Sequence, residues 1–391
     1  MSNVPKLRFK EFSENYNKYK FEDIFDFSTG KNIKQNEASP DFEIPCIRYG
    51  ELYHMYEEVI NKVINKTNLD KSELIFSQGN EILLPSAGED PLDIGSASAL
   101  KIPNVAIGRT INILRPLTDN IYLPEYVSYY INQKLKKKIS TLAKGVSISN
   151  VYNSDLKTLS INLPSKQEQK KIASFLTSVD TKIEQLTRKE ELLLQYKKGV
   201  MQKIFNQEIR FKADDGSEFC DWEEKKLSTK CTIQKGSQLN KDTLTEEGNY
   251  PALNGGINPS GFTRDWNTEA NTITISEGGN SCGYVNFVTT RFWSGGHNYS
   301  LQDLEQSIDA QYLYQYLKFN EEAIMRLRVG SGLPNIQKRE ISNFKISVPY
   351  LKEQIKIANF LLSIDFKIEQ VKKQLEYIKK FKKALLQQMF V

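Results

Sequence analysis

The stretch KIASFLTSVDTKIEQ (171–185) occurs again as KIANFLLSIDFKIEQ (356–370), with 11 of 15 residues identical at a shift of 185 positions. The same shift holds without a gap across residues 164–205, which match 349–390. An internal repeat of this length predicts a duplicated architecture rather than one domain with a single core. The fold should therefore be understood as two related halves.

Weaker matches precede each strong copy. They are Gly145 with Gly330, Asn150 with Asn335, RFK at Arg8 and Arg210, an aromatic residue at Tyr19 and Trp222, Gly30 with Gly236, and PCIRYG (45–50) with PALNGG (251–256). Their order persists while the residues between them diverge. The duplicated segment is therefore larger than one helix.

Each strong copy has the pattern of a long amphipathic helix. Residues 167–205 lack proline, and apolar residues recur at alternating steps of three and four in both copies, which predicts a coiled-coil seam. Such a helix would be about 55 Å long and unstable alone with so narrow an apolar stripe, so we expect the two helices to bury each other. The predicted seam consists of Ile172, Leu176, Val179, Ile183, Leu186, Ile357, Leu361, Ile364, Ile368 and Val371.

A variable body precedes each helix, and its patterns are typical of an α/β fold. The strand-like runs EILLPSAG (81–88) and NTITISEGG (271–279) end in turns and occupy the same place in the repeat. Each body also has a tyrosine-rich helix, at 123–139 and 308–327, whose tyrosines we expect to cover the core. The predicted domains are 1–163 and 206–348, the latter beginning with a polar linker, with helices at 164–205 and 349–391.

Composition and charge narrow the function classes. The chain has 391 residues, 39% of them apolar, no long apolar run and no apolar N-terminal stretch, so we expect a cytoplasmic globular protein without a membrane segment. The net charge of +5 equals that of residues 350–391 alone, which hold nine lysines against four acidic residues. Nucleic-acid binding must therefore rest on local patches.

Catalytic motifs are missing from the sequence. The two histidines form no metal-binding pair, and the four cysteines, which we expect to be reduced, contain no C-x-x-C. There is no G-x-x-x-x-G-K-[ST] phosphate loop and no G-x-G-x-x-G turn. NPSGF (258–262) is similar to the Asn-Pro-Pro-aromatic loop of amino-methyltransferases but lacks the second proline. We predict no catalytic residue and no metal site.

With catalytic motifs missing, recognition of a ligand is the function that we predict for the two bodies. Basic, amide and hydroxyl side chains on loops are the types that contact base edges and phosphates. The candidates in the first body are Lys31, Arg48, Tyr49, Ser86, Arg109, Lys144 and Ser147. Those in the second are Lys235, Asn254, Arg264, Asn280, Arg291, His297, Arg328 and Ser331.

The arrangement resembles the specificity subunit of type I restriction-modification enzymes. Its features are a variable body, a proline followed by a Glu-Gln-x-x-Ile-Ala-x-Phe-Leu-x-x-[Val/Ile]-Asp helix, a second variable body and the same helix again. The resemblance spans nearly the whole chain and is most specific at 164–190 and 349–375. It implies an α/β (α+β) fold with two target recognition domains, two long antiparallel coiled-coil helices and an internal pseudo-two-fold repeat.

The resemblance also implies a division of labour. Each recognition domain would read one half of a bipartite site in double-stranded DNA, while the helices set the spacing and dock two modification (methyltransferase) subunits. Restriction/translocase subunits would complete the complex. S-adenosylmethionine, ATP and Mg²⁺ would belong to partner subunits, and this chain would bind no cofactor.

Physics supports such an architecture. Two half-sites at a fixed separation and helical phase require two domains on a stiff spacer, so a change in helix length should change the gap between half-sites. A pseudo-repeat offers two similar docking faces to two identical partners.

Identical charged residues of the repeat are candidates for that docking, because a heptad pattern places them away from the seam. They are Lys171, Asp180, Lys182, Glu184, Lys356, Asp365, Lys367 and Glu369. Two alternatives stay open at this point. One is a stand-alone nucleic-acid methyltransferase, and the other is a coiled-coil assembly scaffold whose bodies bind protein or sugar.

Overall fold

The structure, a computed structural model, describes residues 4–118, 121–330, 332 and 334–390. The chain divides into two compact units, Met1–Thr187 with Lys373–Val391, and Arg188–Lys372. Two long helices, Lys166–Phe205 and Leu351–Met389, each contribute one part to each unit. Each unit therefore contains one globular body and a pair of helical segments.

The first unit has short strands and helices before the long helix. Its strands are β1 (Asn17–Lys20), β2 (Phe25–Thr29), β3 (Ile44–Ile47), β4 (Val59–Ile60), β5 (Lys66–Thr67), β6 (Phe76–Gln78), β7 (Glu81–Pro85), β8 (Ala87–Gly88), β9 (Ser98–Leu100), β10 (Pro103–Ile107), β11 (Ile111–Pro116), β12 (Ser149–Asn150) and β13 (Ser160–Leu163). Its helices are α1 (Phe21–Ile24), α2 (Glu51–His54), α3 (Pro91–Ile94), α4 (Pro124–Tyr130), α5 (Lys136–Thr141), α6 (Asn153–Leu156) and the first part of α7 (Lys166–Phe205); a π-helical turn, Ile131–Leu135, joins α4 to α5.

Two sheets carry most of the first body. In the described part of the chain their strand orders are β2-β11-β7-β9-β4 and β5-β3-β10-β6, with β3 and β10 parallel. All five residues of β7, including the charged Glu81, are buried, and β7 is the middle strand of its sheet. A separate ribbon pairs β1 with β13, which brings both ends of the body together before α7 begins.

The second unit repeats this plan. Its strands are β14 (Glu223–Lys226), β15 (Thr232–Lys235), β16 (Tyr250–Leu253), β17 (Gly261–Thr263), β18 (Thr272–Ser276), β19 (Val285–Val288), β20 (Trp293–Ser294), β21 (Asn298–Gln302) and β22 (Lys345–Val348). Its helices are the rest of α7, α8 (Ala310–Phe319), α9 (Glu321–Met325), α10 (Lys338–Asn343) and most of α11 (Leu351–Met389). Within the described residues the sheets run β15-β21-β18-β19 and β17-β16-β20, and β14 pairs with β22.

Matching backbone contacts establish which positions of the two bodies correspond. The amide of Gly30 donates to Ile111 O at 3.0 Å, and that of Gly236 donates to Asn298 O at 2.9 Å. A Cβ atom on either glycine would lie within about 2 Å of a carbonyl oxygen, 2.0 Å at Gly30 and 2.1 Å at Gly236, so no other residue fits there. The parallel pairs β3/β10 and β16/β20 likewise match PCIRYG to PALNGG.

The predicted tyrosine positions lie in the two cores. Tyr126 and Tyr130 are buried against Phe390, and Tyr312 and Tyr316 are buried against Phe205. Because Phe205 and Phe390 are related by the 185-residue shift, each body packs its tyrosine face on the last turn of a repeat helix. Each unit thus buries the C-terminal end of one long helix together with the N-terminal end of the other.

The start of each long helix is anchored by a buried Glu-Gln pair. Arg8 binds Glu168 through Nε and Nη2 at 2.8 and 2.7 Å, and Arg210 binds Glu353 in the same way at 3.2 and 2.8 Å. This bidentate contact explains the repeated RFK. The Tyr19–Trp222 correspondence is wrong, since Tyr16 and Trp222 are the aromatic residues that donate to these carboxylates; weak matches do not fix a gap in the alignment.

The glutamine of each pair ties the helix to its body. Gln169 accepts from Leu123 N and donates to Ile121 O and Pro164 O, at 2.8, 3.1 and 3.0 Å. Gln354 makes the corresponding bonds to Asp309 N, Ser307 O and Pro349 O.

No helix in the described ranges has an apolar stretch that would cross a bilayer.

Candidate nucleic-acid interface

Four candidate residues of the first unit lie at the ends of neighbouring strands. Lys31 follows β2, Arg48 follows β3, Ser86 follows β7 and Arg109 follows β10. Backbone hydrogen bonds of 2.8 to 3.0 Å join the loops that carry them. Lys31 and Arg109 are exposed, while Arg48 and Ser86 are half-buried. The sheet ends therefore gather these side chains into one cluster.

Arg48 is oriented by a buried carboxylate. Its Nε lies 3.0 Å from Oε1 of Glu51, which also accepts from Asn65 Nδ2 at 3.0 Å. Glu51 is 2% exposed, so its charge requires this partner. The neighbouring Tyr49 is 39% exposed and stays available for contact.

The Gly-x-x-x-x-Asn segments form a narrow loop in both units. Lys144 and Asn150 exchange backbone hydrogen bonds at 2.9 and 2.8 Å, and Val329 and Asn335 do so at 2.9 and 3.0 Å. Gly145 has φ 135°, and a Cβ there would lie 2.1 Å from a carbonyl oxygen. Lys144 Nζ binds Asp155 at 2.7 Å, and Ser147 is exposed. Ser331 lies outside the described residues.

The second unit gathers a different set at the corresponding strand ends. Lys235 Nζ lies 2.6 Å from Oε1 of Glu277, and His297 Nδ1 lies 3.7 Å from Oε2 of the same carboxylate. Asn254 Oδ1 accepts from the backbone amide of His297 at 3.3 Å. Sequence reasoning missed Glu277, although it follows the strand-like run NTITIS as Ser86 follows EILLP.

The remaining candidates of the second unit contact other groups. Arg291 binds Glu269 at 3.0 Å, and its guanidinium lies 4.3 Å from the centre of the Trp266 ring. Arg264 lines a separate hollow beside β17. Asn280 and Arg328 are exposed. The structure does not bring Arg264 and Arg291 into the Glu277 cluster.

Three of the four cysteines, Cys46, Cys231 and Cys282, are buried, and Cys220 is exposed. Burial raises the pKa of the Cys46 and Cys231 thiols to about 12, so both stay protonated at neutral pH. Within residues 4–118, 121–330, 332 and 334–390, no group of His, Cys, Asp and Glu side chains is arranged to hold a metal ion.

The predicted seam residues pack against more than the opposite helix. Ile172, Leu176, Val179 and partly buried Ile183 share a core with the first body, with residues 385–389 of α11 and with Phe390. Ile357, Leu361, Ile364 and Ile368 share the second core with residues 193–205 of α7. Leu186 and Val371 are also buried. Because the helices run antiparallel, the two seam strings do not pack on each other as expected.

The expectation that Asp180 and Asp365 point away from the seam is wrong. Lys382 Nζ binds Asp180 at 2.7 Å in the first unit, and Lys197 Nζ binds Asp365 at 2.6 Å in the second. Tyr129 donates to the other oxygen of Asp180, and Gln315 Nε2 donates to that of Asp365 at 2.8 Å. Antiparallel packing brings a lysine of one helix beside each aspartate of the other.

The other docking candidates lie at the surface. Lys171 binds Glu11 at 2.9 Å, and Lys356 binds Asp214 at 2.6 Å, so both also have partners within their own unit. Lys182, Glu184, Lys367 and Glu369 are exposed. Docking by these residues stays a prediction.

The comparison with known protein families decides the identity. The model of the "Type I restriction modification DNA specificity domain" matches residues 13–194 and 220–380. These ranges include both bodies, and they cover most of the described length. The chain belongs to this family. It is the DNA specificity subunit of a type I restriction-modification system, the component that selects sequence and is not itself catalytic.

Two relatives of this specificity subunit match most of its length. It is 25% identical to a putative type I specificity subunit of Mycoplasma genitalium, over 99% of this chain and 96% of the relative. It is 27% identical to the type I restriction enzyme MjaVIII specificity subunit of Methanocaldococcus jannaschii, over 85% and 82%. The crystal structure of an S subunit from M. genitalium superimposes with a TM-score of 0.73 at 22% identity, covering 99% of both chains, which confirms the predicted fold class.

Proposed function

We propose that each body of this specificity subunit reads one half of a bipartite DNA site, while α7 and α11 set the distance between the halves. The observation that carries the proposal is the pair of matched strand-end clusters. Their backbones correspond, yet their side chains differ, as at Arg48 and Asn254. Two half-sites of different sequence call for this combination of one scaffold and two chemistries.

The proposed contacts are the exposed polar groups around these strand ends. In the first body, Lys31 and Arg109 supply cationic donors beside Arg48 and Ser86. In the second, Lys235, Asn254 and His297 occupy the equivalent region. Contacts to phosphates would position the duplex, and contacts to base edges would supply the specificity.

We further propose that the helices dock two modification (methyltransferase) subunits. Leu192 and Tyr196 on α7 are 48% and 53% exposed, and Tyr377 and Phe381 on α11 are 72% and 38% exposed. The 185-residue shift relates the two pairs, and a spacing of four places each pair on one helical face. Two equivalent apolar patches support binding of two copies of one partner, assisted by Lys182, Glu184, Lys367 and Glu369.

On the same helical face, each apolar patch is followed by a small residue. Gly199 follows Tyr196 by three positions, and no atom lies within 4 Å of a Cβ built on it. The equivalent position after Phe381 is Ala384. Glycine inside a helix costs about 1 kcal/mol relative to alanine, so a compensating close approach by a partner helix accounts for it.

Catalysis then belongs to the rest of the assembly. As a specificity subunit, the chain forms part of a type I restriction-modification complex. We propose that S-adenosylmethionine, ATP and Mg²⁺ bind the methyltransferase and restriction/translocase subunits, and that this chain binds none of them. Double-stranded DNA is the ligand of the bodies, and the complex acts in the cytoplasm.

Methylome sequencing of cells with and without this chain tests the proposal. We expect one bipartite motif, with two half-sites and a fixed gap, to lose its methylation when the chain is removed. Purified with its methyltransferase partner, the chain should confer salt-sensitive binding to that duplex. Methylation by the isolated chain would favour the stand-alone enzyme, and a complex without duplex binding would favour the scaffold.

A further inference from the structure

Three corresponding strand-end positions have different types of side chain in the two units. The amide of Ser86 donates to Thr110 O at 2.8 Å, and that of Glu277 donates to His297 O at 2.9 Å. Because Gly30 corresponds to Gly236, Thr29 corresponds to Lys235 by the same backbone match. The first unit therefore has three hydroxyl side chains where the second has a lysine, a glutamate and a histidine.

Glu277 is a buried carboxylate that orders its neighbours. The residue is 4% exposed, and its Oε1 accepts from Lys235 Nζ at 2.6 Å and from Tyr299 Oη at 2.9 Å. Its buried Oε2 has no hydrogen-bond donor in the part of the chain that the structure describes. The imidazole of His297 lies beside that oxygen, with its Nδ1 3.7 Å away.

The two side chains around this carboxylate face solvent. The exposed fraction is 52% for the Lys235 side chain and 58% for that of His297. Hydrogen bonding to Glu277 uses one of the three ammonium protons of Lys235, and two remain for a ligand. Because the carboxylate oxygens are buried, the group presents fixed donors to an incoming ligand but no accessible carboxylate acceptor.

We propose that Lys235, held by Glu277 and flanked by His297, reads a guanine in the half-site bound by the second unit. Guanine presents two adjacent acceptors, N7 and O6, in the major groove, whereas adenine presents one acceptor and one donor. The inference rests on the proposed function, in which this body contacts one half-site. It adds the base and the residues that recognise it.

The comparison between units favours a base over a phosphate. Both half-sites have the same phosphate backbone, so positions that contact phosphate need a similar charge in both bodies. Here the backbone geometry is retained while the charge changes from neutral hydroxyls to an ion-paired cation. Divergence at matched positions is what recognition of two different base sequences requires.

The test measures methylation of duplex oligonucleotides in which each base pair of both half-sites is varied in turn. The complex carries wild-type chain, Lys235→Met, Lys235→Arg or Glu277→Gln. In Lys235→Met, we expect discrimination at one guanine to fall by about 5- to 150-fold, the equivalent of ~1–3 kcal/mol. Glu277→Gln should weaken the same preference while the lysine charge remains, and Lys235→Arg should retain it.

Thr29→Met is the matched control in the first unit. It should leave every base preference in the half-site of the second unit unchanged. The inference is overturned if Lys235→Met weakens all sequences uniformly and lowers the salt slope by about one, since that marks a phosphate contact. It is also overturned if Lys235→Met leaves affinity and preference intact. Failure of the proposed function is separate, because the wild-type complex would then show no bipartite preference.

Discussion

Asp180 and Asp365 show why some charged residues are identical in the two copies of the repeat. Each aspartate binds a lysine of the opposite helix, and the two lysines, Lys382 and Lys197, are themselves related by the 185-residue shift. The first pair is the more buried, with Lys382 13% exposed and also bound to Glu58 at 2.9 Å. Burial by itself would lower the pKa of Lys382, but the carboxylates of Glu58 and Asp180 raise it above its usual value.

Replacement of Lys382 by methionine should destabilise the first unit strongly. The change leaves Asp180 and Glu58 without a cation in a largely buried site, which costs ~3–5 kcal/mol for a buried pair. Urea unfolding of the full chain at pH 7 measures the loss. Because the raised pKa keeps Lys382 charged at and below its unfolded-state value of about 10.5, the wild-type contribution is complete throughout the neutral range.

Acid should narrow the difference between the variant and wild type. Burial raises the pKa of Glu58, and loss of Lys382 removes the cation that opposes this shift. The penalty from Glu58 is therefore complete above its folded-state pKa and vanishes below its unfolded-state pKa. Lys197→Met is the matched control, since the side chain of Asp365 is 37% exposed and the expected loss is only ~1 kcal/mol. Equal losses in the two variants would contradict this account.

The two long helices contribute buried residues to both cores and leave one face apolar and exposed. Their inward residues pack on the bodies and on each other. Leu192 with Tyr196, and Tyr377 with Phe381, form the two exposed patches. Both patches are apolar although their residues differ. A surface that binds a partner by apolar packing requires apolar character, whereas a specific charge contact would require particular residues.

Replacement of Tyr377 by glutamate should release one of two bound methyltransferase subunits. A carboxylate in the patch would be buried without a partner when the subunit docks, so binding at that copy should weaken by 100-fold or more, or about 3 kcal/mol. Native mass spectrometry of the complex should change from two partner copies to one. Tyr196→Glu should release the other copy, and the double variant both.

Lys379→Glu provides the control for this experiment. Lys379 is exposed two residues further along α11, on a different helical face, and its substitution changes charge more than Tyr377→Glu does. It should leave two partners bound. Loss of both copies from Tyr377→Glu alone would show that the patches do not act independently.

In the molecule as a whole, the two bodies share one backbone scaffold but differ in the side chains at their strand ends. We therefore expect that exchange of one body changes one half-site. The structure defines where an exchange must be made. β1 pairs with β13, so the exchanged segment must extend to Leu163. Arg8 binds Glu168 of the retained helix, so the incoming body needs an arginine there.

Exchange of residues 1–163 for another body of this family should alter one half-site only. The second body and both helices are retained, so the second half-site and the gap should not change. Methylome sequencing of cells that carry the hybrid chain measures all three quantities at once. Changes in both half-sites would contradict the assignment of one body to one half-site. The reciprocal exchange of 206–348 should alter the other half-site.

Much of the fold was predictable because it is repeated. The internal match and the heptad spacing predicted two α/β bodies and two long helices, which the structure confirms. The buried tyrosine face was predictable from its period of four. Glu277 was not, because a lone glutamate after a strand has no spacing signal. The roles of Arg8 and Gln169 were also not predictable, since each binds groups far away in the chain.

The sequence by itself determined the duplication, the helical period and the absence of catalytic motifs, because these properties depend on residues at short or constant separation. Only the tertiary structure decided which charges pair. Asp180 meets Lys382 across 202 positions, and Lys197 meets Asp365 across 168, because antiparallel helices reverse the order of their contacts. The physical reason is that an ion pair depends on distance in space, and no local pattern encodes that distance.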